Sequence, residues 1–241
     1  MAKQIDTNKV VRQHLEMDTF FSGGFAVKSR KSLRNETESA QKTQNTKAQL
    51  DEIAAEVCKC RKCELGSLRK NPVPGEGSPS AQIVFVGEGP GADEDAQGRP
   101  FVGRAGKLLD KIIIAMGLQR SDVFICNILK CRPPDNRDPK LDEITSCLPY
   151  LQRQLEAINP EIIVALGAHA ARTLLDTNKP IGQLRGRFHD YYTGIEKPPV
   201  KLMPTYHPAY LLRNYSHDNR ARVWDDMKKV LEELQLPVPE R

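Results

Sequence analysis

From Ala48 onward the chain alternates short, almost wholly apolar runs with longer stretches in which apolar residues return every three or four positions. Four runs have strand character: Gln82–Gly87, Val123–Ile128, Ile162–Gly167 and Val200–Thr205. Apolar spacing of the helical kind follows in Gly106–Gly117, Leu141–Ile158 and Ala168–Leu175, and a last such stretch, Asn219–Leu234, closes the chain. Runs apolar on both faces, separated by amphipathic helices, predict a three-layer α/β/α fold around a central, mostly parallel four-stranded sheet. Residues 1–48 differ. They are rich in Gln, Asn, Thr, Ser and Lys, and lose apolar periodicity after Phe25. They read as a flexible polar tail with a short helix around Val10–Phe21, leaving 49–241 as the folded domain.

Composition changes this picture little. A hydrophobic content of 39% with 28% charged residues fits a water-soluble domain. No apolar run reaches the roughly 18 residues of a membrane span, and the N-terminus lacks the apolar core of a secretory signal. The reading is a cytoplasmic protein acting as a monomer. The net charge of +5 hints at nucleic acid, but residues 1–48 hold nine Lys/Arg against five Asp/Glu, leaving 27 against 26 elsewhere. Any DNA-binding face must therefore come from local clustering.

In such sheets ligands bind beyond the carboxyl ends of the strands. Gly87-Glu88-Gly89, Asn127, Gly167-Ala168-His169 and His207 all fall there, so topology gathers a carboxylate, an amide and imidazoles at one edge. The first of these loops, GEGPGADEDAQGRPFVG, matches a relaxed dinucleotide fingerprint. Asp93, Glu94 and Asp95 would however face a pyrophosphate, and Pro90 removes an amide donor. The acids belong either to chemistry or to holding the loop as caps of a following turn.

Six cysteines stand at 58, 60, 63, 126, 131 and 147. Without a secretory signal, disulfides are disfavoured. Cys60 and Cys63 in CRKC form half a metal knuckle, with Cys131 and Cys147 as the other thiolates; four thiolates suit Zn²⁺ or an iron–sulfur cluster equally. Cys126, inside a strand, reads as a small buried apolar residue, and Cys58 as a spare ligand.

Taken together, CRKC, GEGPGADEDAQGRPFVGRAGKLLD, NILKCRPPDNRDP and HPAYLL resemble the family 4 uracil-DNA glycosylases over Val57–Trp224. The resemblance implies a 4Fe–4S cluster on Cys60, Cys63, Cys131 and Cys147, and uracil-containing DNA, single- or double-stranded, as partner, with nucleoid association through that DNA. It implies that Phe101 stacks on an extruded base, that Asn127 reads the uracil edge, and that His207 donates to uracil O2. Glu88 and Glu94 become pocket residues that position water or close around the base, and Gly89 stands where a better-known family has an aspartate. Leu211, Leu212 and Arg213, beside Tyr210, read as a wedge filling the gap left by the flipped base. Arg185, with Arg187, Lys130, Arg132 and Arg137, reads as a phosphate contact.

Overall fold

The computed structural model describes residues 30–193, 198–214 and 216–239, side chains of 30–39 excepted. The expected helix at Val10–Phe21 lies outside the described residues. Two units separate, Met1–Lys42 and Thr43–Arg241. Helix α1, Arg30–Lys59, runs through residue 48. The boundary drawn there falls inside a helix: Thr46 is buried and its hydroxyl bonds to the Ala157 carbonyl at 3.3 Å. The polar composition had concealed a helix that fixes only one stripe, through Thr46, Leu50, Ile53 and Val57.

The four apolar runs form strands at Ile83–Gly87 (β2), Phe124–Asn127 (β3), Ile162–Leu166 (β4) and Val200–Thr205 (β6). The first three are buried at every residue, as parallel strands covered on both faces require. The sheet is six-stranded, not four-stranded. Glu76–Gly77 (β1) and His189–Tyr191 (β5) add antiparallel edges, giving the order β1-β3-β2-β4-β6-β5. Two and three residues are too short to carry a periodicity, which is why the pattern missed both.

Helices cover the two faces. Leu65–Leu68 (α2), Ala92–Gln97 (α3), Arg104–Ala115 (α4), Leu141–Ile158 (α5), Ala168–Leu175 (α6), Ile181–Leu184 (α7), Pro208–Arg213 (α8) and His217–Glu233 (α9) follow in chain order. One buried cluster joins Leu151, Leu155, Ala170 and Leu174 to Val84, Val86 and Ile163; the other joins Leu109, Ile113, Met227 and Val230 to Ile83, Phe85 and Val164. Neighbouring residues of one strand thus face opposite layers, as strand geometry dictates. This three-layer arrangement holds the ends of four parallel strands side by side.

Candidate active site

Asn127 ends β3, Glu88 follows β2, Gly167 follows β4 and His207 follows β6, so four neighbouring strands each deliver a residue to one edge. They line a cavity of about 480 Å³, with Gly89, Glu94, Phe101, Asp138, His169, Tyr206, Tyr210 and Arg213. The predicted pocket set, Glu88, Gly89, Glu94, Phe101, Asn127 and His207, is therefore brought together.

Its floor is tight. A methyl group at Gly87 would stand 2.4 Å from Asn127 Oδ1 and 2.6 Å from Phe101 Cζ. At Gly167, with φ of +92°, it would stand 2.9 Å from His207 Cβ. Both glycines let side chains from other segments converge where a strand side chain would otherwise sit. Phe101 is itself buried, its ring centroid 5.7 Å from that of His207 at 32°.

The polar groups in this pocket are unusual in what they lack. Asn127 is 1% exposed, yet its Oδ1 is buried with no hydrogen-bond partner. An orphaned buried acceptor is costly, which marks a site built for a donor from outside the chain. Its backbone, by contrast, is fixed: the buried Lys130 ammonium donates to the Asn127 carbonyl at 2.8 Å and to Gln154 Oε1 at 2.7 Å. Lys130 is thus an internal strut and no phosphate contact.

His207 caps α8, its Nδ1 accepting the Ala209 N–H at 3.0 Å. That bond leaves the proton on Nε2. Part of the residue faces the open cavity, but protein packs around its ring. Burial first, then the Arg213 charge, lowers its pKa to about 4 against a weak opposing pull from Glu94. The imidazole is neutral at physiological pH and donates through one defined nitrogen.

The acids of the glycine loop divide. Glu94 Oε1 accepts the Val102 and Gly103 N–H groups at 2.8 and 2.9 Å, and Oε2 accepts Gly91 N–H at 3.1 Å. Asp95, 4% exposed, accepts Lys70 N–H at 2.9 Å. Of the two readings, these two acids take the second: they hold the loop, and Glu94 lines the cavity with both oxygens engaged. Glu88 is different. Burial raises its pKa, with the Asp138 charge adding to that and the His169 and Arg213 charges opposing it. Glu88, Asp138 and His169 bring one ligand atom each within 4.8 Å of one another, and His169 Nε2 lies 3.5 Å from Asp138 Oδ1. One small polar guest would touch all three.

The residues expected to face DNA differ in exposure and in partners. Leu211 is 3% exposed and packs in the core, because the short α8 turns it inward, so it cannot serve as a wedge. Leu212 and Arg213 are exposed beside the cavity. Arg185 is not free for phosphate: its Nη2 and Nε bond Asp226 at 2.7 and 3.1 Å, and it lies over the Tyr206 ring at 5.2 Å. Asp226 is 0% exposed and also accepts the Thr205 hydroxyl at 2.6 Å, so a buried carboxylate claims the cation. Arg137 is held in the same way, by both oxygens of the buried Glu143.

Away from the cavity, Cys131 and Cys147 are buried with Cys63 packed against the same cluster, and Cys60 packs beside Tyr150. Cys131 feels the charges of Cys63 and Cys60; Cys147 feels those of Cys131 and Cys63. Burial, ahead of every other cause, pushes both thiols up, Cys147 to about 11. Arg69 donates to Cys131 Sγ at 3.1 Å. Cys126 is fully buried in β3 and Cys58 is exposed.

Residues 74–229 match the family model of the uracil DNA glycosylase superfamily. A type-4 uracil-DNA glycosylase of Saccharolobus solfataricus is 50% identical over 190 residues, 77% of this chain and 86% of the relative. That of Thermotoga maritima is 48% identical over 186 residues, 76% of this chain and 94% of its own. Two enzymes of Pyrobaculum aerophilum separate the branches: its type-4 glycosylase is 46% identical over 64% of this chain and 80% of its own, its type-5 glycosylase 32% over 63% and 71%. The chain belongs to the uracil-DNA glycosylase superfamily, in its type-4 branch.

Proposed function

We propose that this protein excises uracil from DNA by hydrolysing the N-glycosidic bond, leaving an abasic site, as the opening step of base excision repair. The observation that carries this reading is the buried, unpartnered Asn127 Oδ1. Uracil offers an N3–H donor flanked by two carbonyls, so one carboxamide can accept from N3–H and donate to O4. Cytosine in the same pose would set the N3 lone pair against Oδ1 and its C4 amine against the carboxamide N–H₂, a mismatch at both atoms.

A base inside a duplex is out of reach, so the nucleotide is extruded, at a cost of a few kcal/mol, and stacks on Phe101. His207 Nε2–H then donates to uracil O2. As the bond from N1 to C1′ breaks, its electron pair goes to the uracil ring, and a donor aimed at O2 stabilises that charge. Because burial holds the imidazolium pKa near 4, the ring is neutral at physiological pH, so Nε2–H acts as a hydrogen-bond donor to the leaving uracil and not as a cation. Glu88 orients the water whose oxygen bonds to C1′ and accepts its proton; its raised pKa, caused by burial, suits it to that acceptance. Gly89 leaves room beside the base, Glu94 holds the loop that carries Phe101, Leu212 fills the vacated stack and Arg213 meets a phosphate.

Cys60, Cys63, Cys131 and Cys147 would hold a 4Fe–4S cluster. Cys131 lies close enough to Cys63 and Cys60, and Cys147 to Cys131 and Cys63, for their charges to reach one another, so the four form one soft, sulfur-only donor set of the kind that holds such a cluster. When bound it supplies a cross-link, tying the connection between α1 and α2, and α5, to the segment that runs from Asn127 to Cys131.

The test is incubation of the iron-loaded protein with oligonucleotides carrying one uracil or one thymine, followed by hot alkali. Strand cleavage at uracil alone, strongly slowed in His207→Ala, is expected; intact uracil strands with the parent protein would end the reading.

A further inference from the structure

Phe101 has a positive φ of 51°, a region that disfavours any bulky residue. A stacking ring in that conformation needs an outside agent to hold its backbone. Arg120, on the connection between α4 and β3, is that agent. Its Nη1 donates to the Phe101 carbonyl at 3.2 Å and its Nη2 to the neighbouring Pro100 carbonyl. The same guanidinium is gripped from behind. Nη1 also reaches Asp110 Oδ1 at 2.7 Å, while Nε and Nη2 each reach Glu76 Oε1 at 2.9 Å.

Four of the fork's N–H groups are thus engaged in hydrogen bonds within the chain, and its charge is met by two carboxylates, which leaves it poorly placed to serve a DNA phosphate. Glu76 belongs to β1, the two-residue edge strand paired with β3, so the brace is anchored in the sheet that also carries Asn127. From the other side α4 closes against the same carbonyl: a methyl group at Gly106 would stand 1.9 Å from Phe101 O.

We infer that Arg120, fixed by Glu76 and Asp110, is a positioning residue for uracil recognition, holding Phe101 in its left-handed conformation so that the ring presents its face to the extruded base. This rests on the reading that Phe101 stacks on uracil. Lysine cannot replace it, because a single ammonium cannot bridge two successive carbonyls and two carboxylates.

The probe is a single-stranded oligonucleotide with one 2′-fluoro-2′-deoxyuridine, whose electron-poor sugar resists cleavage, so affinity is measured without turnover. Arg120→Lys is expected to weaken binding by about tenfold, as small misplacements of positioned groups do. In a Phe101→Ala background the same substitution should have almost no effect, since the group it positions is gone. Arg99→Ala is the control: Arg99 shares Glu76 but touches neither carbonyl, and should bind as the parent does. Should Arg120→Lys fold poorly, Glu76→Gln loosens the brace from behind and is expected to weaken binding in the same Phe101-dependent way.

Parent-like affinity in folded Arg120→Lys, or an equal loss with and without Phe101, would overturn the inference. If Phe101→Ala alone binds as the parent does, the stacking role fails instead, and that outcome is distinct from the first.

Discussion

Asn127 and Asp226 are both buried polar residues, one at the end of β3 and the other in α9, and they are treated in opposite ways. Asp226 takes the Thr205 hydroxyl and two nitrogens of Arg185; Asn127 Oδ1 takes nothing. The same contrast separates Glu94, with three backbone donors on its two oxygens, from Glu88, whose raised pKa owes nothing to hydrogen bonding. Groups that support the pocket are matched inside the chain. Asn127 Oδ1 and Glu88, which also line the pocket, are left for a match from outside, and that difference tells a ligand site from a structural network.

The comparison is broken most directly at His207. His207→Ala should lower the single-turnover rate of uracil release by ~10²–10³-fold, as loss of one donor to a developing anion does. Measured stability should change far less than rate; equal losses would place His207 with the matched groups. Asn127→Ala is expected to slow release about a hundredfold yet cost under roughly 1 kcal/mol of stability, because an orphaned group is removed. Asp226→Ala, read by denaturant melts, should cost about 3 kcal/mol or more, since it strands Arg185 in a partly buried place.

The pH dependence sharpens the same point. His207 has its pKa lowered by burial to about 4, so the unfolded chain binds its proton more readily than the native one between pH 6.5 and 4. Its contribution is complete above pH 6.5 and shrinks as pH falls toward 4, by at most ~3 kcal/mol. His207→Gln should remove that part of the decline in melts taken across this range. For Glu88 the sign concerns activity: a raised pKa means the carboxylate protonates at higher pH than usual, so the rate falls on that acid side. Glu88→Gln should be about tenfold slower and lose that limb. The smallest effect is expected at the mouth, where Arg213→Gln should reduce the salt slope of DNA binding by about one unit without altering the preference for uracil.

Much of this was legible in the sequence because four apolar runs could only be buried parallel strands, and their carboxyl ends named Glu88, Asn127 and His207 in advance. The failures have physical causes. Leu211 and Leu212 are neighbours, and only the pitch of a six-residue helix decides which one is buried. Arg185 looked free because its partner Asp226 lies far along the chain in α9. Glu94 and Asp95 could be read two ways until the positions of Lys70, Val102 and Gly103 were known. Arg120 carried no local signal: Glu76, Asp110 and the Phe101 carbonyl come from three separate segments, and no pattern in sequence brings them together.

The bond from Ala209 to His207 Nδ1 that begins α8 also decides which imidazole nitrogen is left facing the pocket. Secondary structure and chemical readiness are therefore one event: a chain that has not wound this turn has not chosen its tautomer either. Fraying of a few residues at Pro208–Arg213 would silence the donor while leaving the sheet intact, a form of damage that a global melt would overlook and exchange of the Ala209 amide hydrogen would register.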